Sequence, residues 1–172
     1  MTNIVLIGMP GCGKSTVGVL LAKATGKAFL DTDVVLQAKE GQKLQPMIDE
    51  IGVEAFLRKE QEAVLSLECK GTVIATGGSV VYGCDAMEHL HRNGIVVYIK
   101  LPYQTIRKRL SNLATRGVTL KDGQTLFDLY QERVPLYEAQ ADIVCEADGF
   151  EIETTVSRIM NLVDVYGEAH HG

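Results

Sequence analysis

Residues 4–15 read Ile-Val-Leu-Ile-Gly-Met-Pro-Gly-Cys-Gly-Lys-Ser, and this segment is the strongest indication of the fold class. It begins with a short apolar run that is typical of a buried strand and continues into a glycine-rich turn. The turn satisfies the pattern Gly-x-x-x-x-Gly-Lys-Ser/Thr from Gly8 to Ser15, and the next segment, 15–24, has apolar residues at helical spacing. A strand, a phosphate-binding loop and a helix in this order predict a P-loop α/β domain.

The loop is suited to bind the phosphates of a nucleotide. Glycines let the backbone wrap so that successive N–H groups point inward, and the N-terminus of the following helix adds partial positive charge. In this pattern Lys14 reaches the β- and γ-phosphates, and the hydroxyl of Ser15 coordinates Mg²⁺. We therefore expect ATP with Mg²⁺, although the loop alone does not separate a kinase from an ATPase or a GTPase. The expected nucleotide contacts are Gly11, Cys12, Gly13, Lys14, Ser15 and Thr16.

Strand-like and helix-like segments alternate along the rest of the chain. Further apolar runs that are typical of strands cover residues 28–30, 72–75, 95–101 and 142–145. Apolar residues at helical spacing cover residues 53–68, 85–93, 105–112, 126–139 and 152–165. This alternation predicts βαβ units and a parallel sheet.

Length and charge limit the function further. A chain of 172 residues suits a single domain over 1–172, and the net charge is −5 at pH 7. The acidic balance argues against a nucleic-acid or anionic-membrane partner, and no apolar run reaches the roughly 18 residues that a membrane helix needs. The N-terminus lacks the features of a signal peptide, and the four widely spaced cysteines predict free thiols in a cytoplasmic protein. The polar tail, 167–172, is expected to be disordered.

Two carboxylates follow the second strand. Asp31 and Asp33 are two positions apart, so an extended backbone places them on the same side. In a parallel α/β sheet the ligand crevice lies at the carboxyl ends of the strands. Asp31 is expected either to hold Mg²⁺ or to accept the proton of an attacking hydroxyl, and Asp33 to hydrogen-bond the hydroxyls of an acceptor. The alternative is a solvated turn that caps the following helix.

Taken together, the motifs resemble those of the shikimate kinase family over nearly the whole chain. Besides the P-loop, the resemblance is carried, in order, by Phe29–Asp33, Ala75–Ser79, Arg109–Leu110, Arg116 and Arg133–Tyr137. It implies a three-layer P-loop NTPase fold with a five-stranded parallel sheet flanked by helices, a mobile lid over about 112–124 and an acceptor-binding region over about 33–61. It also implies phosphorylation of the 3-hydroxyl of shikimate, a step of aromatic amino-acid synthesis, by a monomer.

The resemblance assigns further residues to the site. Gly77 and Gly78 allow an acceptor to approach their backbone N–H groups, and Arg133 pairs with the acceptor's carboxylate. Arg109 stacks on adenine, and Arg116 swings over the transferring phosphoryl group and neutralises its charge. The expected catalytic residues are Lys14, Asp31 and Arg116.

Three departures from the family pattern fall on the acceptor side or on the lid. Leu57 occupies the position of an acceptor-binding arginine, and Arg58 follows one residue later. One helical step turns a side chain by about 100°, so Arg58 either reaches the acceptor from another direction or pairs with a glutamate on a solvated face. Ser79 replaces a glycine, which strains the backbone if its φ is positive, and Gly117 replaces a proline, which predicts a looser lid.

An intact nucleotide side and an altered acceptor side leave three functions open. The first is phosphorylation of shikimate, and the second is phosphorylation of another hydroxy acid or polyol, such as gluconate or homoserine. The third is a nucleotide-binding regulatory module that transfers no phosphate. The set of Lys14, Ser15, Asp31 and Arg116 argues against the third, because such a module does not need all four. ADP release with a panel of hydroxylated acids separates the three.

Overall fold

The sheet is built from five parallel strands. The computed structural model of the protein describes residues 2–111 and 117–171, and within them the strands pair in the order β2-β3-β1-β4-β5. Every neighbouring pair is parallel. The strands are β1 (Asn3–Ile7), β2 (Ala28–Asp31), β3 (Thr72–Ala75), β4 (Gly94–Lys100) and β5 (Ile143–Glu146). The five-stranded parallel sheet expected from the sequence is confirmed, with β1 and the glycine-rich loop at its centre.

Helices flank the sheet and connect its strands. In the described ranges they are α1 (Lys14–Thr25), α2 (Thr32–Glu40), α3 (Leu44–Ile51), α4 (Val53–Leu65), α5 (Cys84–Asn93), α6 (Tyr103–Ser111), α7 (Leu126–Gln140) and α8 (Ile152–His171). A single 3₁₀ turn, Val80–Tyr82, precedes α5. None of these helices combines the length and the apolar character that crossing a bilayer requires.

The main core lies under the central strands. Val5, Leu6 and Val97 are fully buried, and Val17 and Leu21 of α1 belong to the same cluster. A parallel sheet covered by helices needs strands that are apolar throughout, which explains the continuous runs of β1 and β4. A second, smaller cluster packs between α2, α3 and α4, and its members are Leu36, Met47, Ile48, Phe56 and Ala63. This cluster fixes the position of α4 beside the sheet.

The sequence analysis gives no range for α2 or α3, and it mentions a helix after Asp33 only in its alternative interpretation. Helix α2 begins directly after β2 because the Asp31 side chain caps it, accepting the backbone N–H of Asp33 at 2.9 Å. Helix α3 has Pro46 in its first turn, where the missing N–H is tolerated. The two helices have only nine and eight residues, so each gives a weak periodic signal.

Helix α8 is longer than the sequence predicts. It continues to His171, so the expectation of a disordered tail over 167–172 is wrong for its described part, 167–171. No proline interrupts this segment, and the ring of Tyr166 stacks on the ring of His170 with 4.0 Å between centroids. This i,i+4 contact stabilises the last turns of the helix.

Candidate active site

The ammonium group of Lys14 lies inside the phosphate-binding loop. Lys14 is buried, and its Nζ donates to the carbonyl oxygens of Gly8 and Met9 at 2.7 and 3.0 Å. Gly11 and Gly13 have φ angles of 79° and 94°, which allow the backbone to wrap around the ammonium group. The loop therefore presents positive charge at the N-terminus of α1, as the sequence predicts for a phosphate site.

Ser15 and Asp31 lie side by side at the carboxyl ends of β1 and β2. The Ser15 hydroxyl donates to Asp31 Oδ2 at 2.6 Å, while Asp31 Oδ1 accepts the N–H of Asp33. Asp31 thus caps α2, as the alternative interpretation of this turn expects. It also contacts Ser15, which is expected to bind Mg²⁺. A hydroxyl and a carboxylate are hard oxygen donors of the kind that Mg²⁺ accepts beside phosphate oxygens. These two residues fit a magnesium site.

Two carboxyl groups converge on Gly77, where β3 has ended. A Cβ built on Gly77 would clash with Glu60 Oε2 and would lie 2.8 Å from Asp33 Oδ1, so a side chain there would displace both carboxyl groups. Burial of its carboxyl group, helped by the charge of Asp31, raises the pKa of Asp33 to about 6 despite the opposing effect of Lys14. Burial likewise raises the pKa of Glu60 to about 7, and the charge of Asp33 adds to this shift.

Glu60 is a site residue that the sequence analysis missed. It is 5% exposed, and its Oε1 accepts the hydroxyl of Ser79 at 2.7 Å. A signal was available, because Glu60 lies on the apolar face of α4 between Phe56 and Ala63. A carboxylate at a core position of an amphipathic helix indicates a function or a buried polar partner.

Arg133 is a buried guanidinium without a carboxylate partner. It is 1% exposed, its Nη2 donates to Thr119 Oγ1, and its Nε donates to the Tyr82 hydroxyl at 3.4 Å. Within 2–111 and 117–171, no carboxylate forms an ion pair with it. A Cβ on Gly78 would come within 3.0 Å of its Nη1, so the guanidinium faces that glycine. A buried charge needs an opposite charge, so this position is suited to an anion.

The other predicted arginines have different positions. Arg109 Nη1 donates to the Gly11 carbonyl at 3.2 Å, so it lies beside the phosphate-binding loop as expected. Arg58 is exposed at the edge of a cavity of about 180 Å³ that Glu60 and Ser79 also line. The expected alternative, an ion pair with a glutamate on α4, is absent from the ion pairs of the described residues. Arg116 lies outside the described residues.

The two remaining departures have physical explanations. Ser79 has a φ of −94°, so the strain considered for a positive φ does not arise, and its hydroxyl makes the contact with Glu60. Gly117 has a φ of 77°, and its N–H donates to Gln45 Oε1 at 3.2 Å. Proline can adopt neither this φ nor this bond. A looser lid stays a prediction, since residues 112–116 lie outside the described residues.

Comparisons with known proteins agree with one another. The family model of shikimate kinase matches residues 10–164. A shikimate kinase of Thiobacillus denitrificans is 39% identical over 149 residues, which span 84% of this chain and 80% of that protein. A solved shikimate kinase of Acinetobacter baumannii in complex with shikimate has a TM-score of 0.86 at 29% identity, covering 96% of this chain and 94% of that one. That of Aquifex aeolicus has a TM-score of 0.81 at 29% identity, covering 99% of both chains.

Proposed function

This chain belongs to the shikimate kinase family, and we propose that it transfers the γ-phosphoryl group of ATP to the 3-hydroxyl of shikimate. The observation that carries the proposal is the buried guanidinium of Arg133 next to Gly78, which forms an ion pair with no described carboxylate and lies close to the carboxyl of Asp33 at Gly77. This arrangement suits an acceptor that has both a carboxylate and hydroxyl groups. A relative of high structural similarity is named as a complex with shikimate, which supports that acceptor.

On the nucleotide side, the chain binds the phosphates and the metal with separate residues. Lys14 exchanges its contacts with Gly8 and Met9 for the β- and γ-phosphates, and backbone N–H groups of the loop donate to the α- and β-phosphates. Ser15 and Asp31 would hold Mg²⁺, which neutralises charge on the β- and γ-phosphates when bound. The guanidinium of Arg109 would cover the adenine, and Arg116 would stabilise the charge that develops during transfer.

Asp33 is the proposed proton acceptor. The acceptor hydroxyl donates to its carboxylate, forms a bond to the γ-phosphorus as it loses the proton to Asp33, and ADP leaves as the bond to the β,γ-bridging oxygen breaks. With a pKa of about 6, Asp33 is still ionised at neutral pH and is more basic than an ordinary aspartate. Asp31 has both oxygens engaged by Ser15 and the Asp33 N–H, which favours the metal role over the proton-accepting role.

Arg133 and the two glycines form the proposed acceptor pocket. Arg133 binds the carboxylate, and the absence of Cβ atoms at Gly77 and Gly78 leaves room for the ring between Asp33 and the guanidinium. Leu57 supplies no second charge. Arg58, at the edge of the neighbouring cavity, attracts the anionic acceptor over a longer distance instead of pairing with it.

The proposal includes a monomer that acts in the cytoplasm. The four cysteines are free thiols, which suits a reducing compartment. Sedimentation equilibrium across a range of concentrations tests the monomer.

The test is acceptor-stimulated ADP release in the presence of ATP and Mg²⁺. We expect stimulation by shikimate and none by gluconate or homoserine, with phosphate found on the 3-hydroxyl by ³¹P NMR. Stimulation by another acid or polyol alone would replace shikimate as the substrate. Binding of ATP without stimulation by any acceptor would favour a regulatory module.

A further inference from the structure

The guanidinium of Arg133 is fixed in position from its Nε side. The Tyr82 hydroxyl accepts from Arg133 Nε and donates its own hydrogen to Glu132 Oε2 at 2.9 Å. Gln124 Nε2 donates to the same carboxylate oxygen at 3.1 Å, and the two hydrogen bonds keep the pKa of Glu132 below its ordinary value. Glu132 therefore polarises the Tyr82 oxygen, which becomes a better acceptor for Arg133. One hydrogen of Nη2 goes to Thr119, and the fork formed by Nη1 and the other hydrogen of Nη2 faces the acceptor pocket beside Gly78.

Thr119 has an unused hydrogen at this fork. A hydroxyl has one hydrogen and two lone pairs, and the Thr119 oxygen uses a lone pair to accept from Arg133 Nη2. No acceptor within the described ranges receives its hydrogen, and the residue is only 4% exposed, so water has little access. Leaving a buried donor unsatisfied destabilises the fold, so this hydroxyl is suited to an acceptor that arrives with the ligand.

We propose that Thr119 is a second recognition residue for the acceptor carboxylate. Arg133 binds the carboxylate as an ion pair, and Thr119 donates its hydroxyl hydrogen to the same anion. This inference rests on the proposed function and deepens it. Tyr82, whose hydrogen is already given to Glu132, is a positioning residue for Arg133 and does not donate to the substrate.

The charge of this pocket also sets the class of anion. One buried guanidinium and one neutral hydroxyl donor balance a single negative charge, and Leu57 contributes neither charge nor hydrogen bond. A carboxylate has this charge, whereas a phosphate monoester group has a charge of about −1.5 to −2 at pH 7. The pocket therefore selects an acceptor with one carboxylate, which receives an ionic contact from Arg133 and a neutral hydrogen bond from Thr119.

The test compares Thr119→Val, which keeps the shape but loses the hydroxyl, with Thr119→Ser, which keeps the hydroxyl. We expect Thr119→Val to raise the KM for shikimate about tenfold, with the KM for ATP and kcat changed by less than about twofold. Thr119→Ser should restore the KM to within about threefold of the wild type. Thr155→Val is the matched control, because Thr155 is also 4% exposed but its hydroxyl donates to the backbone carbonyl of Glu151, the residue before α8.

A second substrate distinguishes a contact between Thr119 and the substrate carboxylate from a purely structural role of Thr119. With an analogue of shikimate that has hydrogen in place of the carboxylate, and so offers Thr119 no acceptor, Thr119→Val and wild type should have KM values within about twofold of each other. An equal loss for shikimate and the analogue, or no loss for shikimate, overturns the role of Thr119. Wild type without turnover of shikimate overturns the proposed function itself, and the inference falls with it. Should Thr119→Val fail to fold by circular dichroism, Thr119→Ala with calorimetric shikimate binding decides by the same criteria.

Discussion

The nucleotide side and the acceptor side of the site are built in different ways. The groups that face the phosphates come from one continuous segment, 8–16, with Asp31 added from the next strand. The acceptor side is assembled from α2, α4, the end of β3, residues 117–120 and α7, which supply Asp33, Glu60, Gly77, Thr119 and Arg133. The phosphate-binding loop acts through its local backbone geometry, and a short sequence pattern is enough to identify that geometry. Recognition of an acceptor depends on side chains that only the fold brings together.

The largest effect is expected at Asp33, where the two sides meet. Asp33→Asn keeps the size of the side chain but cannot accept the hydroxyl proton, so kcat should fall about 10³-fold. ATP affinity should stay within about threefold, because the phosphate contacts belong to residues 8–16. Single-turnover kinetics and calorimetry with ATP measure the two quantities.

Asp31→Asn serves as the matched variant for this comparison. It should lower kcat and also raise the Mg²⁺ concentration needed for half-maximal activity, since Asp31 and Ser15 form the candidate metal site. Equal losses of ATP affinity in both variants would show that Asp33 serves the nucleotide and would remove the division into two sides.

Arg133 is expected to have the next largest effect, and on the acceptor alone. Arg133→Ala removes the buried cation that faces Gly78, so the KM for shikimate should rise about 10²-fold while the KM for ATP stays nearly constant. Initial-rate measurements with each substrate varied in turn provide both values. Parallel increases in the two KM values would contradict an acceptor-specific role.

The protonation of Glu60, on the acceptor side of the site, affects the stability of the fold. Its folded-state pKa of about 7 exceeds the ordinary 4.5, so between these values the folded protein holds a proton that the unfolded chain has lost. The contribution is complete below pH 4.5 and is lost as the pH rises through 7. Glu60→Gln avoids this loss and still accepts from Ser79. At pH 8 its Tm should therefore exceed that of wild type, and its free energy of unfolding should be higher by about 1–3 kcal/mol.

The pH dependence is the informative part of that experiment. The advantage of Glu60→Gln should shrink at pH 5, where the wild-type carboxyl is protonated, and thermal unfolding at both pH values measures it. Glu62→Gln, on the exposed face of α4, is the control and should follow the wild-type profile. An advantage that is equal at pH 5 and pH 8 would mean that protonation of Glu60 is not its cause.

The smallest effect is expected at Arg58. Because it is exposed and forms no described ion pair, Arg58→Ala should raise the KM for shikimate only about twofold, and less at high salt. Steady-state kinetics at two ionic strengths measure this. A tenfold, salt-independent rise would show that Arg58 contacts the carboxylate directly and replaces the arginine that Leu57 lacks.

Much of the fold could be predicted from the sequence, because the strands are continuous apolar runs. β3 coincides with its predicted range, β1 and β2 are longer than predicted by one residue at one end, and β4 and β5 are shifted by one residue. Helices α2 and α3 were beyond this approach, since each is short and α2 depends on the Asp31 cap.

The candidate site divides in the same way. The positions of Lys14, Ser15 and Arg109 follow from the loop and from a resemblance. Glu60 left a signal, as a carboxylate on an apolar helix face. Thr119 and Tyr82 left none, because they lie 14 and 51 positions from Arg133 and ordinary periodicity does not relate them.

The unpaired charge of Arg133 has a consequence for the lifetime of the protein in a cell. A buried cation that waits for its anion makes the ligand-free fold less stable than the complex, so a bound acceptor shifts the equilibrium away from the unfolded chain. Proteases remove proteins through their unfolded fraction. The abundance of this enzyme should therefore rise when its acceptor accumulates, without any change in its synthesis.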